Sequence, residues 1–435
     1  MEGSDGQAPE AAEEAVADDD SRLGRHLTPG PALALAVTTV IGGGALALPG
    51  VALDGAGDDA VLGWALAGLI TIPLLVVFSR LGARYPTAGG IAGFVQPRFG
   101  RRAAAGVEMV LLGTVSLGMP AIALSGGGYL AAAVGASADT AWVGAIALLL
   151  LVTGTLYAGA ALSTRLQTAL AVVLTIALLA VGLVGLLSPA AEFTPPSFTA
   201  AGWGNAFGVV GVLFFGLTGW EIVAFTLGEY ENPKRDFPRV VALSFVIVIG
   251  VYLVLAAGIQ AILRPGDATN ETAPVAELVS RAVSPEAAVF VSVLGVVILA
   301  ANLVGAMWGA SRLVYSSSGE GLLPRGLFHV AGASRTPRRA VLVVGGAFVL
   351  LVGASALGLI SVTTMFEVAG QNFFLLYVVT AAVYGVEARS RVARCFGLLL
   401  AAALAAVALL GFDPLALFYP AVLFMIGSLI FRSRA

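Results

Sequence analysis

Charge is the scarcest property of this chain of 435 residues, because only 11% of its residues are Asp, Glu, Lys or Arg, while 58% are hydrophobic. A soluble globular domain carries about 25% charged residues. The composition therefore excludes a water-soluble globular protein and predicts a chain embedded in a lipid bilayer.

Cysteine and histidine are almost absent. The single cysteine, Cys395, excludes an internal disulfide, and His26 and His329 are too few to predict a metal site. The apolar segments lack a nucleophile paired with a base, and the chain has no G-x-x-x-x-G-K-[ST] loop for nucleotide phosphates. We therefore predict a protein that is not an enzyme, holds no metal or cofactor, binds no nucleic acid and does not hydrolyse ATP.

Acidic residues are concentrated at the start of the chain. Residues 1–28 contain a run of carboxylates without an apolar face: Glu2, Asp5, Glu10, Glu13, Glu14, Asp18, Asp19 and Asp20. This segment lacks the basic start of a signal peptide, and its composition predicts a disordered cytosolic tail.

Long apolar stretches make up most of the remaining chain. A stretch of about 20 apolar residues can span a bilayer as a helix. We predict about twelve spans, at residues 29–51, 61–79, 103–133, 140–159, 166–187, 205–227, 240–263, 285–311, 340–358, 361–386, 396–410 and 414–430.

Basic residues test this map, since they accumulate on the cytosolic side of membranes. If the N-terminus is cytosolic, every Lys and Arg except Arg264 and Arg281 falls in a predicted cytosolic segment. Arg312 is placed in such a segment, after the eighth span. We therefore predict a multi-pass protein of the cell membrane with both termini in the cytoplasm.

Glycine interrupts two of the spans. The first contains "TTVIGGGALALPG", with Gly42, Gly43 and Gly44 before Pro49, and the sixth contains "FFGLTGW". Glycine in a helix interior costs about 1 kcal/mol relative to alanine, so we predict helix breaks at 41–45 and 215–219. Unpaired backbone groups are tolerated at membrane depth only where protein buries them or where they line a cavity. The two breaks therefore predict a ligand site.

The breaks occupy matching places in two units of five spans, at residues 29–187 and 204–386, followed by two appended helices at 391–431. The first unit starts inside and the second outside, which is typical of inverted-repeat secondary transporters. In such folds half-helix N-termini attract an anion and C-terminal carbonyls attract a cation. A zwitterion would suit both.

Two glutamates, Glu221 and Glu367, lie away from the ends of predicted spans, where a charge is costly and marks a functional candidate. Glu221 follows the second break; it either changes protonation during the cycle or braces the break through hydrogen bonds. Glu367 shares a helix face with Gln371, four residues later. It either gates the site or makes a structural polar contact.

Four segments resemble one known family: "VIGGGALALPG", "RYPTAGGIAGFVQPRFG", "FFGLTGWE" and "GEYENPKRDFPRVV". They are similar, in order, to the first-helix signature G-[STG]-G-[IV]-F-x-x-P, the loop after the second helix, the sixth-helix pattern F-x-G-[FWL]-E and the following E-x-x-N-P-x-[KR]-x-x-P-R stretch. All belong to the amino acid–polyamine–organocation (APC) superfamily. "DFPR" and "YPTAGGIAGFV" resemble in particular bacterial exporters of methionine and branched-chain amino acids.

The resemblance implies an all-α membrane fold of about 12 transmembrane helices, with a 5+5 inverted repeat (LeuT-like) and two C-terminal helices. It also implies that N–H groups of the first break bind the carboxylate of an amino acid, that carbonyls of the second accept its ammonium, and that apolar side chains including Phe214 surround its side chain. The implied binding residues are Ile41, Gly42, Gly43, Gly44, Ala45, Leu46, Phe215, Gly216, Leu217, Thr218 and Trp220, with Glu221 and Glu367 as coupling or gating residues.

The implied function is secondary active transport of amino acids by alternating access. The breaks carry no charged side chain, which favours neutral, apolar substrates such as methionine and leucine, and the exporter motifs favour export. Three alternatives remain open: an amino acid uptake permease, an exchanger for another substrate such as a polyamine, and a non-transporting sensor on the same fold.

The coupling ion is the least determined feature. Sodium-coupled relatives use hydroxyls on the eighth helix, where this chain offers Asn302 and no hydroxyl in mid-span. Proton-coupled relatives place a lysine on the fifth helix, but the only lysine here, Lys234, lies in a predicted loop. A proton acting through Glu221 or Glu367, or substrate exchange, remains.

Overall fold

The computed structural model describes residues 28–85, 90–159, 164–220, 230, 232–319, 321–329, 336–412 and 414–432. The predicted acidic tail lies outside these residues, except Thr28. The helices are α1 (Pro29–Gly44), α2 (Leu48–Ala56), α3 (Ala60–Arg84), α4 (Gly90–Ala133), α5 (Ala141–Tyr157), α6 (Thr164–Leu187), α7 (Ala200–Gly208), α8 (Val210–Gly216), α9 (Pro233–Ile262), α10 (Pro274–Ala282), α11 (Pro285–Gly319), α12 (Arg338–Ala356), α13 (Val362–Glu387), α14 (Arg391–Gly411) and α15 (Pro414–Arg432).

The predicted all-helical membrane architecture agrees with these elements. Eight helical segments of the described chain are long and apolar enough to cross a membrane, and three shorter apolar helices accompany them, at Pro29–Gly42, Val172–Leu187 and Leu417–Ile430. Turns and short 3₁₀ helices join the segments. The count of twelve spans and the 5+5 repeat remain predictions.

The first predicted break lies further along the chain than expected. Residues 41–44 are helical, so the prediction that the three glycines themselves interrupt the helix is wrong. The helix ends at Gly44, residues 45–47 form a turn, and α2 begins at Leu48. Pro49 explains this position, because its ring clashes with the carbonyl four residues earlier and it has no N–H to donate. The same residue is favourable in the first turn of a new helix.

The second break lies where the glycines predict it. The helix α8 ends at Gly216, residues 217–219 are not helical, and Gly219 has a φ of 113°, a conformation that favours glycine. Residues 221–229, including Glu221, lie outside the described residues.

One end of the helix bundle collects most of the described arginines, and we call it the arginine-rich end. It contains the ends of α3, α5, α11 and α13 and the start of α12. Arg80 donates to the Tyr384 hydroxyl at 2.7 Å, and Arg338 donates to the carbonyl of Tyr157 at 3.1 Å, so side chains link these helix ends. The other end is called the opposite end.

Several helices extend further than the apolar stretches predict. The helix α11 continues to Gly319, so Arg312 lies inside it and not in a loop as predicted. At 1.5 Å per residue, Arg312 stands about 10 Å before the end of the helix. A span predicted from hydropathy ends at the first charged residue. The helix itself continues, because its backbone hydrogen bonds do not depend on whether a side chain is charged.

Candidate functional site

The two helix breaks meet at two glycines. A Cβ atom added to Gly44 would lie 2.7 Å from the Cα of Gly216, and one added to Gly216 would lie 2.8 Å from a methyl carbon of Leu48. Real Cβ atoms do not approach heavy atoms this closely, so Gly44, which faces backbone, requires glycine, while a side chain at Gly216 would displace the end of Leu48. The end of α1 and the end of α8 are thus in direct backbone contact.

A tyrosine from α9 joins the same two elements. The hydroxyl of Tyr252 lies 2.9 Å from the carbonyl oxygen of Gly216 and 3.2 Å from that of Val40, and donates its proton to either oxygen. The Tyr252 ring stacks on Trp64 of α3 with a centroid distance of 4.2 Å, and both side chains are fully buried. This tyrosine therefore fixes the distance between the two broken helices.

The turn at 45–47 has two of its backbone donors in use. The N–H of Ala45 donates to the carbonyl of Ile41 at 3.1 Å, and that of Ala47 donates to the carbonyl of Gly44 at 3.3 Å. The helix α2 begins directly after the turn, and its dipole favours negative charge there. Pro49 has no N–H and the N–H of Gly50 already donates to the carbonyl of Ala47, so Leu48 supplies the remaining donor of this first turn. Such an arrangement can bind a carboxylate.

The carbonyl of Leu46 is held by a second tyrosine. The buried hydroxyl of Tyr129 in α4 donates to that carbonyl at 2.7 Å and accepts from the N–H of Val275 in α10 at 3.2 Å. The first break is therefore connected through one hydroxyl to the segment that covers it at the opposite end.

Side chains occupy several carbonyls of the second break. The Thr218 hydroxyl donates to the carbonyl of Phe215 at 2.7 Å, and the Trp220 indole N–H donates to that of Leu217 at 2.8 Å. With the Tyr252 contact, three of the four carbonyls predicted to face an ammonium already accept a hydrogen bond. A carbonyl oxygen has two lone pairs and can accept a second donor.

The predicted apolar wall is buried. Leu46, Phe214, Phe215 and Trp220 are at most 6% exposed. Phe215 lies 5.2 Å from the ring of Phe366 and fits against Gly118 of α4, while Phe214 packs edge-on against Phe374 and Tyr377. The Trp220 ring turns back toward its own break. Phe215 thus packs between α4 and α13, whereas Tyr252 and Trp64 are the aromatic residues that contact the junction itself.

Other predicted residues have mixed outcomes. Gly42 faces Asn302 of α11, since an added Cβ would lie 2.5 Å from the Asn302 amide nitrogen. Ile41 and Ala45 are fully buried.

Glu367 accepts a hydrogen bond from Gln371 at 3.1 Å, and Gln371 packs against Gly211 of α8. Glu367 is therefore positioned beside the second broken helix, and whether it gates or only packs stays a prediction.

The opposite end is closed over the first break. Asp54 at the end of α2 accepts from the N–H of Gly266 at 2.7 Å and from the Asn270 amide at 2.6 Å. A Cβ on Gly50 would overlap the carbonyl of Asn270, so α2 packs tightly against this segment. Burial raises the pKa of Asp267, but hydrogen bonds from Arg264 and Arg281 outweigh it, and the net shift is downward.

Two cavities lie on this closed side and not at the breaks. One of about 440 Å³ is lined by Asp54, Asp58, Asp59, Ser197 and Asn205, among others. The second, of about 370 Å³, lies between α4, α10 and α11. The junction of the breaks is closely packed in this conformation, so a substrate would enter only after a movement of the helices.

Sequence reasoning missed Tyr252, Trp64 and Tyr129. Each is a large aromatic residue that carries a polar atom and lies in the middle or at the end of an apolar helix. A buried Tyr hydroxyl requires a hydrogen-bond partner. That rule indicates that a partner exists, but the partners are carbonyls from segments 83 and 212 residues away along the chain. The sequence contains no signal for which carbonyls these are.

Comparison with known proteins identifies the family of this chain. The sequence profile of the family described as "Amino acid permease" matches residues 31–433. The chain belongs to this amino acid permease family of the APC superfamily. The resemblance found in the motifs is thereby confirmed, and the family is one of membrane transporters and not of enzymes.

Three relatives of this permease carry informative names. It is 30% identical over 417 residues to the uncharacterized amino acid permease YecA of Bacillus subtilis, covering 95% of this chain and 96% of the relative. It is 29% identical over 233 residues to the L-methionine/branched-chain amino acid exporter YjeH of Escherichia coli, covering 53% and 55%. It is 26% identical over 339 residues to the branched-chain amino acid permease BcaP of Lactococcus lactis, covering 71% and 72%.

Proposed function

We propose that this permease is a secondary active transporter that moves neutral, apolar amino acids such as methionine and leucine across the cell membrane by alternating access. The substrate carboxylate binds N–H groups at the turn 45–47 and at the start of α2. The ammonium binds carbonyls of the second break, and the side chain lies against Phe215 and Leu46.

The observation that carries the proposal is the contact between the two broken helices at Gly44 and Gly216. Backbone donors of one break and backbone acceptors of the other lie together there, beside buried apolar side chains. No charged side chain of the described residues lies at this junction, which favours a zwitterion with an apolar side chain. The names of two relatives, the exporter YjeH and the permease BcaP, refer to the same class of substrate.

Orientation and direction are part of the proposal. The arginine-rich end is placed in the cytosol, because basic residues accumulate on that side. The closed opposite end then faces outward, and opening toward the cytosol allows substrate to be loaded for export. The relatives include both an exporter and permeases without a stated direction, so uptake and exchange are the alternatives to export.

The proposal is tested by flux in proteoliposomes. Purified permease is reconstituted with internal leucine, and uptake of labelled leucine or methionine is followed against protein-free vesicles. Saturable counterflow is expected, with competition by methionine and none by putrescine. Binding without flux would indicate a sensor, and competition by putrescine would replace the substrate class by polyamines.

Coupling is proposed to involve protonation of Glu221. Burial of a carboxylic acid in a membrane protein disfavours its charged form, and a neutral acid can donate to backbone carbonyls loosened at the second break. Protonation would thus favour one arrangement of the break over the other.

Replacement of Glu221 by glutamine mimics the protonated acid. We expect Glu221→Gln to retain counterflow of labelled leucine at a rate within about threefold of the wild type, while net flux driven by a pH gradient is lost. Glu367→Gln is the matched variant on α13. Wild-type flux that ignores the gradient, or a variant with unchanged pH dependence, would exclude proton coupling through Glu221.

A further inference from the structure

One stripe of α11 differs from the rest of that helix. Asn302, Gly305, Gly309, Arg312 and Ser316 follow a spacing of three and four residues, which places them on one helix face. A Cβ on Gly305 or Gly309 would meet nothing within 4 Å, so open space runs along the stripe. At the end of the stripe that is farther from the arginine-rich end, Asn302 contacts Gly42 of the first break. The stripe therefore leads from the candidate substrate site to the arginine-rich end.

The exposed side chains of α11 change character along its length. Near the opposite end they are apolar: Val289, Phe290, Val293 and Val297, each 43% to 72% exposed. Exposed apolar side chains of this kind are suited to contact with the hydrocarbon tails of lipids. Toward the arginine-rich end the fully exposed positions are Trp308, Arg312, Ser316 and Gly319, while apolar residues such as Val304 and Leu313 are half-exposed. The fully exposed positions therefore change from apolar to mainly polar, which indicates contact with water toward the end of the helix.

Arg312 is the only charged residue of this stripe. Its guanidinium stacks on the ring of Trp308 at 3.5 Å, and Trp308 is 43% exposed. Among the residues that the structure describes, no carboxylate pairs with Arg312. An arginine in the last turns of a membrane helix is stable where its guanidinium reaches water or a polar partner.

We propose that Arg312 and Trp308 form a staging site for the substrate carboxylate in a water-filled groove on α11 between the cytosol and the helix breaks. The guanidinium forms two parallel hydrogen bonds with the carboxylate, a bidentate contact. Stacking on Trp308 holds the guanidinium in place. The amino acid would then pass along Gly309 and Gly305, which leave room for it, to Asn302 and the breaks. This proposal rests on the proposed transport function, and it adds a second, cytosolic carboxylate site.

The groove is tested without any substrate. Cys395 is the only cysteine, so Cys395→Ser provides a cysteine-free background. Cysteines are introduced at Gly305 and Gly309, where they meet no steric obstacle, and at the apolar Phe290 as a control. We expect a charged methanethiosulfonate reagent added from the cytosolic side to modify the first two at least ten times faster than Phe290→Cys. Equal, slow reaction at all three positions would show a lipid-facing stripe and overturn the proposal.

The arginine is tested in inside-out vesicles with leucine applied from the cytosolic side. We expect Arg312→Gln to raise the cytosolic KM for leucine about fivefold, which corresponds to roughly 1 kcal/mol, the upper range for an exposed ion pair. Arg312→Lys should retain part of the affinity. Arg325→Gln, which removes the same charge from the exposed turn after α11, should leave the KM unchanged.

Salt and lipid composition separate the remaining explanations. Because carboxylate capture in water is screened, the difference between wild type and Arg312→Gln should shrink as the ionic strength rises from about 0.05 to about 0.5 M. An equal KM for both proteins would overturn the proposal, as would an effect that appears only with anionic lipids, which would assign Arg312 to a headgroup phosphate. A wild type that transports no amino acid would refute the proposed function, while the cysteine experiment would still report on the groove.

Discussion

Substitution of Gly44 by valine is expected to abolish leucine and methionine binding while leaving the helices formed. The added Cβ would lie 2.7 Å from both the Gly216 Cα and the Tyr252 hydroxyl oxygen, so the two breaks must separate. Forcing bulk into a closely packed site costs about 1–3 kcal/mol, and further atoms of valine add to it. A cost of this size at the binding site lowers the affinity for leucine and methionine by up to about 100-fold. Calorimetry on the purified variant measures the loss.

Two controls separate binding from folding. Gly44→Ala adds the Cβ alone and should give an intermediate affinity. Gly346→Val places the same side chain on the exposed face of α12, where a Cβ meets nothing within 4 Å, and should bind as the wild type does. Helix content and thermal unfolding are recorded for all three. Unchanged affinity in Gly44→Val would place the substrate elsewhere in the protein.

Removal of the Tyr252 hydroxyl is expected to have the second largest effect. Tyr252→Phe preserves the ring and its stacking on Trp64, but the carbonyls of Val40 and Gly216 lose their shared donor. A buried acceptor left without a partner costs about 1–3 kcal/mol. We expect leucine flux to fall about tenfold and the unfolding temperature to drop, because the breaks are no longer held at a fixed distance.

Tyr315→Phe is the matched control for this variant. Tyr315 lies on α11 and is half-buried, and its ring stacks on Phe328 at 4.6 Å, away from both breaks. Its flux and stability should equal those of the wild type. If Tyr252→Phe behaves in the same way, the hydroxyl bridge has no part in holding the site.

Much of the architecture follows from local chemistry that the sequence displays directly. The apolar stretch at residues 61–79 predicts α3, and the stretch at 361–386 predicts α13 almost residue for residue. A bilayer cannot hydrogen-bond to peptide groups, so a long apolar segment has few conformations available other than helix. For the same reason a glycine pair such as Gly216 and Gly219 predicts a break that the structure contains.

The exact place of the first break depended on two competing local effects. Glycine weakens a helix by a graded amount, whereas a proline excludes the helix hydrogen bond at a defined position. The stronger constraint prevailed, so Gly42 and Gly44 stayed helical and the turn formed just before Pro49. The glycines are needed for a different reason, which is close approach to Asn302, Gly216 and Tyr252.

By itself, the sequence determined that this chain is a helical membrane protein of the amino acid permease family with two interrupted helices, because apolar length, glycine and proline act over a few residues. Only the tertiary structure decided which groups meet at the interruptions. The Tyr252 hydroxyl and its partner Val40 are 212 residues apart. The open space beside Gly305 and Gly309 of α11 likewise depends on how the helices pack. Contacts of this kind arise from packing between distant segments, which no local pattern encodes.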